Sequence, residues 1–163
     1  MIFYAWEVAA GEYQTGAAGE KLPASLLLLA DPDWSQVEKY VDKSSWTVAE
    51  ENGNLIGVCG LMPLDQASAE IMNLAVDPDW QGRGLGKRLI ASALEQAQGQ
   101  GYQKVIVRTG NSSLNQLGLY QKCGFRMVRI ERDYFVNNYP EPIFENGIPC
   151  RDQIVLELML RME

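Results

Sequence analysis

The sequence predicts an α+β domain built on a mixed sheet of six or seven strands. Two observations carry that prediction. Residues 46–50, 55–64 and 70–76 are three apolar, strand-like runs joined by short turns, so they are expected to pair antiparallel. The third run is followed by a glycine-rich turn, an amphipathic helix and the β-branched run 104–108, an order that predicts a right-handed βαβ unit with the outer strands parallel.

Taken in order, residues 2–8 alternate loosely and suit a first strand, whereas 9–20, rich in Gly and Ala, read as a loop. Pro23 stands where a short helix through Ala30 begins, a position that tolerates the missing proline amide. Asp31-Pro32 ends that helix. Asp33 is placed to cap a second one, with Trp34, Val37, Tyr40 and Val41 on its inner face. Asn52-Gly53 separates the first hairpin strands and is the pair a tight primed turn requires. Asp77-Pro78-Asp79 stops the strand over 70–76. Beyond it, Leu85, Leu89, Ile90, Ala93, Leu94 and Ala97 recur at a period near 3.6, and Gly99 and Gly101 mark the helix end. Asn111-Ser112-Ser113 starts another helix, where Ser113 and Gln116 have capping-box spacing, and Gly124 follows its end. Residues 126–135 alternate and read as a strand, 139–149 as a long loop, and 152–160 as a last strand antiparallel to its predecessor.

The chain has 163 residues, a size that suits one domain over 1–163 with a core that needs no disulfides. Its net charge of −7 argues against a nucleic-acid partner and favours a cationic or amine-bearing one. The absence of histidine removes imidazole as acid, base or metal ligand. Cys59, Cys123 and Cys150 form no CxxC pair, so no metal site is expected, and free thiols suit a reducing compartment. No basic stretch precedes apolar residues at the N-terminus, and the aliphatic run 26–30 is far too short to span a bilayer, so a cytoplasmic protein without membrane contact is expected.

The turn Gln81-Gly82-Arg83-Gly84-Leu85-Gly86 between strand and helix is suited to a polyphosphate. The first helical amides have no internal partner, the helix dipole adds partial positive charge there, and glycines let a ligand approach the backbone. Arg83, Lys87 and Arg88 add full charges. The spacing is neither the dinucleotide GxGxxG nor the P-loop GxxxxGK[ST].

Gln81, Gly84 and Gly86 fit [Q/R]xxGx[G/A], and the stretch resembles motif A of the GNAT N-acetyltransferases, where it cradles the pyrophosphate of acetyl-CoA. The LYxxxGF stretch 119–125 resembles motif B of the same family. The likeness covers about residues 46–136 and is closest to the RimI-like branch, the ribosomal-protein alanine acetyltransferases, and to small bacterial relatives. It implies the GNAT fold, with helices on both faces of the sheet, and direct transfer of an acetyl group from acetyl-CoA to a primary amine on a small molecule or a protein N-terminus. An acyl-CoA sensor without catalysis and a nucleotide-binding regulator are the competing classes.

The resemblance further implies a site. Backbone groups of Gly82, Arg83, Gly84, Leu85, Gly86 and Lys87 hold the pyrophosphate, with Gln81 in the motif. The strand over 70–76 carries a bulge and splays from 104–108, so that pantetheine pairs with backbone around Leu74, Ala75 and Val76. Tyr120 protonates the departing thiolate. Glu70 is the leading base, with Glu141, Glu145, Asp152 or a water relay as alternatives. Ser113 stands where the family usually has a cofactor-contacting asparagine, and Asn111 or Asn115 is an alternative partner for the donor. The loop 139–149, with Tyr134, Phe135 and Phe144, is a candidate to cover the amine; a contact between two copies of the chain in a homodimer, or an inert surface loop, is the alternative.

Overall fold

The computed structural model describes residues 2–6 and 22–161. The strands are β1 (Ile2–Trp6), β2 (Ser45–Glu51), β3 (Asn54–Pro63), β4 (Ser68–Val76), β5 (Lys104–Gly110), β6 (Arg126–Glu131), β7 (Phe144–Glu145), β8 (Ile148–Pro149) and β9 (Gln153–Met159). The helices are α1 (Ala24–Ala30), α2 (Trp34–Val37), α3 (Leu85–Gly99), α4 (Leu114–Lys122) and α5 (Tyr134–Asn138). One seven-stranded sheet runs in the order β1-β2-β3-β4-β5-β9-β6, and β7 with β8 forms a separate hairpin. Among the described residues no helix is long and apolar enough to cross a membrane. The expected loop over 9–20 lies outside the described residues.

The expected pairings form. β2, β3 and β4 are successively antiparallel, and β4 runs parallel to β5. Asn52 (φ 51°) and Gly53 (φ 80°) make the tight turn between β2 and β3. Asp33 caps α2 by accepting from the Ser35 amide at 3.0 Å. The face of α3 carrying Leu85, Leu89, Ile90, Ala93 and Ala97 is buried on the sheet. Gly57 permits that approach, because a Cβ there would lie 2.8 Å from Leu89 Cδ1.

The two faces carry two clusters. Leu89 and Ile90 of α3 pack with Ile71, Val107, Phe125 and Leu156. Beneath α1 lie Leu26, Leu27, Val37, Tyr40, Val48 and Val58 around Trp46. Trp46 is fully buried, donates Nε1–H to the Val41 carbonyl at 3.1 Å, and fits because position 60 is Gly: a Cβ there would meet its ring at 2.6 Å.

Four local expectations need correction. The strand expected over 126–135 stops at Glu131. Asp133 turns the chain with φ 58°, its amide bonded to Asp152 Oδ1 at 2.9 Å, and the Tyr134, Phe135 and Val136 run becomes α5. The loop 139–149 contains the β7–β8 hairpin, turned by Asn146 (φ 55°) and Gly147 (φ 72°), the same dipeptide as at 52–53. The Ser113–Gln116 capping box does not form; Ser113 is the N-cap, but its hydroxyl donates to the Glu145 carboxylate, 3.1 Å from each oxygen. The second helix ends at Val37, leaving Val41 in a 3-10 turn.

Candidate active site

The site begins with one surplus residue. Gly60 pairs with Asn73 and Leu61 with Ile71, so Met72 bulges out of β4. The bulge inverts side-chain parity. Before it, Ala69 and Ile71 face the α3 cluster; after it, Leu74 and Val76 do, while Met72 and Ala75 pack under α1. Pairing of β4 with β5 runs only from Ser68↔Lys104 to Ile71↔Val107, and beyond it the strands separate.

The open edge has identifiable groups. The Asp77 amide bonds to Ile56 on the β3 side, and the Val76 carbonyl accepts from Gln81 Nε2 at 3.0 Å on the other. Strand alternation therefore turns the backbone of Leu74 and Val76 away from β3 and into the split. Gln81 has a structural use as well, tying the glycine turn to the strand end.

At that turn Gly82 (φ 74°) and Gly84 (φ 79°) both adopt left-handed conformations, and Gly84 is the N-cap of α3. The Arg88 amide donates to the Gly84 carbonyl, so the amides of Leu85, Gly86 and Lys87 precede the first intrahelical bond. A groove of about 450 Å³ runs from this turn along β4, lined by Leu74, Val76, Gln81, Gly82, Gly84, Leu85, Gly86, Lys87 and Asn115. Trp80, Gln116 and Leu119 complete it. Of these, Gln116 and Leu119 share with Asn115 one face of α4, a spacing present in the sequence.

Four residues expected at the donor have side chains engaged elsewhere; for Ala75 and Arg83 the expectation concerns the backbone, which their side-chain positions leave untouched. The Ala75 side chain is buried under α1, because the bulge turned it there. The Arg83 guanidinium folds back over the Trp80 ring, 4.7 Å from its centroid, and bonds to the Asp79 carbonyl at 3.1 Å. Ser113 is held by Glu145 and lines a second, larger cavity. Asn111 binds the Pro149 carbonyl and the Arg151 and Asp152 amides, which fixes the base of the β7–β8 hairpin.

That larger cavity, about 980 Å³, opens on the other side of the split between α1–α2 and the segment 134–145. Glu70 faces it at 5% exposure, ion-paired with Arg108. Ile71 and Met72 line it as well, on the same strand whose Leu74 and Val76 line the groove. Glu141 and Glu145 also line it, whereas Asp152 is committed to the Asp133 amide. Asn73, 2% exposed, donates to both the Leu27 carbonyl and the Tyr40 hydroxyl at 3.0 Å, bracing α1 against the bulged strand. Tyr120 is 6% exposed, sits edge-on to Phe125 and lines neither space. Burial pushes its phenol well above the ordinary tyrosine range. Among the described residues no cluster of side chains could hold a metal ion.

Residues 12–125 match the profile of the acetyltransferase (GNAT) family. The chain belongs to that family. It is 44% identical to the N-acetyltransferase YvbK of Bacillus subtilis, over 83% of this chain and 87% of that protein. The crystal structure of a GNAT acetyltransferase from Elizabethkingia anophelis, with acetyl-CoA bound, superposes with a TM-score of 0.86 at 39% identity, covering 97% of this chain and 98% of that one. The RimI-like likeness also holds: the N-alpha-acetyltransferase RimI of Mycobacterium tuberculosis is 37% identical over 53% of this chain and 55% of that protein. Sheet order, split strands and glycine turn are thus those of an acetyltransferase.

Proposed function

We propose that the protein moves the acetyl group of acetyl-CoA directly to the amine of an acceptor that enters from the larger cavity. The observation that carries this reading is the backbone of Leu74 and Val76, turned into the split and not paired with β5, leading from the glycine turn to the bulge. The acetyl-CoA-bound relative from Elizabethkingia anophelis supports the donor, and the RimI relative supports an amine acceptor.

In this reading the amides from Gly82 to Lys87 hold the pyrophosphate, with Lys87 adding full charge and Asn115 lining the groove beside them. The split strand receives the pantetheine arm, which places the thioester at the bulge. The neutral amine attacks the carbonyl carbon, the carbon–sulfur bond breaks, and sulfur leaves as thiolate. The motif B resemblance assigns the proton on sulfur to Tyr120, which burial keeps protonated behind the lining of the two cavities. The nitrogen's surplus proton leaves toward Glu70 through water, with the Glu70 carboxylate oriented by Arg108. The enzyme reading is preferred to a sensor because β4, which lines the donor groove, also lines a second cavity of a size fit for an acceptor.

Calorimetry with coenzyme A, ATP and NAD, together with thiol release from acetyl-CoA across a panel of amines, tests the reading. Coenzyme A alone should bind, and thiol release should depend on the amine. A Tyr120→Phe variant should bind coenzyme A normally and lose about 10²-fold or more in kcat. Equal affinity for ATP would rule out the donor assignment, and unchanged turnover would remove Tyr120 from the mechanism.

A further inference from the structure

The larger cavity has a charge balance that its catalytic use does not require. Its two cations are Arg108, paired with Glu70, and Lys39, bonded to Gln36 Oε1 at 3.0 Å. The Asp33 carboxylate is occupied in capping α2, and Glu131 pairs with Arg129. Among the described residues, Asp31 on one wall and Glu141 and Glu145 on the other form no ion pair. Between those walls stand Tyr134, Phe135 and Tyr139, with Phe135 centroids 5.3 Å from Tyr134 and 5.6 Å from Tyr139. Aromatic faces beside carboxylates favour an organic cation.

The floor adds an independent observation. Gln153 pairs with Gly110 and Glu131, and strand alternation places it on the face of Arg108, away from the cluster containing Ile154 and Leu156. It is 9% exposed and lines the cavity, yet its side-chain amide makes no hydrogen bond to another of the described residues. Its polar atoms keep access to the cavity, where a ligand can meet them.

We propose that the acceptor is a small aliphatic amine with a second cationic nitrogen, which lies between Asp31 and Glu145 against the aromatic wall while the first reacts at Met72. The inference rests on the acetyl-transfer reading and deepens it. The Gln153 carbonyl oxygen accepts from an N–H of the same ligand. The volume, about 980 Å³, is that of a small-molecule site, which favours a free oligoamine over a protein N-terminus. At the reacting end the nitrogen must be neutral, and the distant charge satisfies the carboxylates without holding the nucleophile protonated.

The test is calorimetric titration of butylamine, 1,4-diaminobutane and a basic tripeptide into the whole protein, with coenzyme A titrated in parallel, and kcat/KM measured for each amine. The diamine should bind at least about tenfold more tightly than butylamine. That ratio should fall toward one in Asp31→Asn and Glu145→Gln, and Gln153→Leu should weaken the diamine; coenzyme A affinity serves as the check on folding. Equal affinity for the two amines, or tighter binding of the tripeptide, overturns the acceptor class while leaving transfer standing. Failure of coenzyme A to bind overturns transfer instead, so the two failures are separable.

Discussion

At the scale of single residues, the acceptor wall carries a thermodynamic cost. Asp31 is half-buried, and burial raises its carboxyl above the usual aspartate range despite hydrogen bonds that oppose the shift. An acid whose folded pKa exceeds its unfolded value binds its proton more tightly in the native state, so stability falls as pH rises through that interval. Asp31→Asn should therefore raise the melting temperature near neutral pH, with the gain vanishing below about pH 3.8, the ordinary aspartate value. A scan of melting temperature against pH reads this directly; a lower melting temperature at pH 7 would mean that its contacts to neighbours outweigh desolvation. Cys59 illustrates the opposite use of burial. Its thiol is pushed up to about 12 with no partner, as befits a plain core residue.

At the scale of elements, the glycine turn and α3 act as a unit that could be read in advance. Both signals are local: a run of apolar residues at helical spacing, and glycines where left-handed backbone is needed. Gly84→Ala isolates that requirement. A Cβ there meets nothing within 4 Å, so its penalty is conformational. About 1–2 kcal/mol is expected for a non-glycine residue at φ 79°. Relaxation of that strain would tilt the first amides of α3, so coenzyme A affinity should fall by about tenfold while circular dichroism stays native. Undiminished affinity would mean that the amides are not what holds the phosphates. Other elements were not legible. Nothing distinguishes Met72 from its neighbours as the bulged residue, and the parity of Leu74, Ala75 and Val76 depends on it. Tyr134 and Phe135 fit a strand pattern equally well, and the turn into α5 is held by bonds to a segment far along the chain, from the Asp133 amide to Asp152 and from the Phe135 amide to the Arg151 carbonyl. Asn146-Gly147 carried a hairpin signature inside a segment that otherwise looked irregular.

For the molecule as a whole, most of the donor groove could be inferred from the contiguous stretch 74–87, whereas the acceptor cavity could not, because it gathers residues from α1, α2, β4, β5, β6, α5, β7 and β9. The sheet itself is joined at its middle by only the short β4–β5 overlap. Donor binding should therefore slow hydrogen exchange at Leu74 and Val76 more than at Val58, which is already paired between β2 and β4. Uniform protection across these positions would indicate general stabilisation without occupation of the split. One inserted residue thus divides the labour of the fold. Phosphate recognition is confined to a single turn and its helix, while selection of the second substrate is distributed over segments that share no backbone with it. A lineage can retool the latter by exchanging surface loops and leave the former untouched, so diversification in what is acetylated need not disturb what does the acetylating.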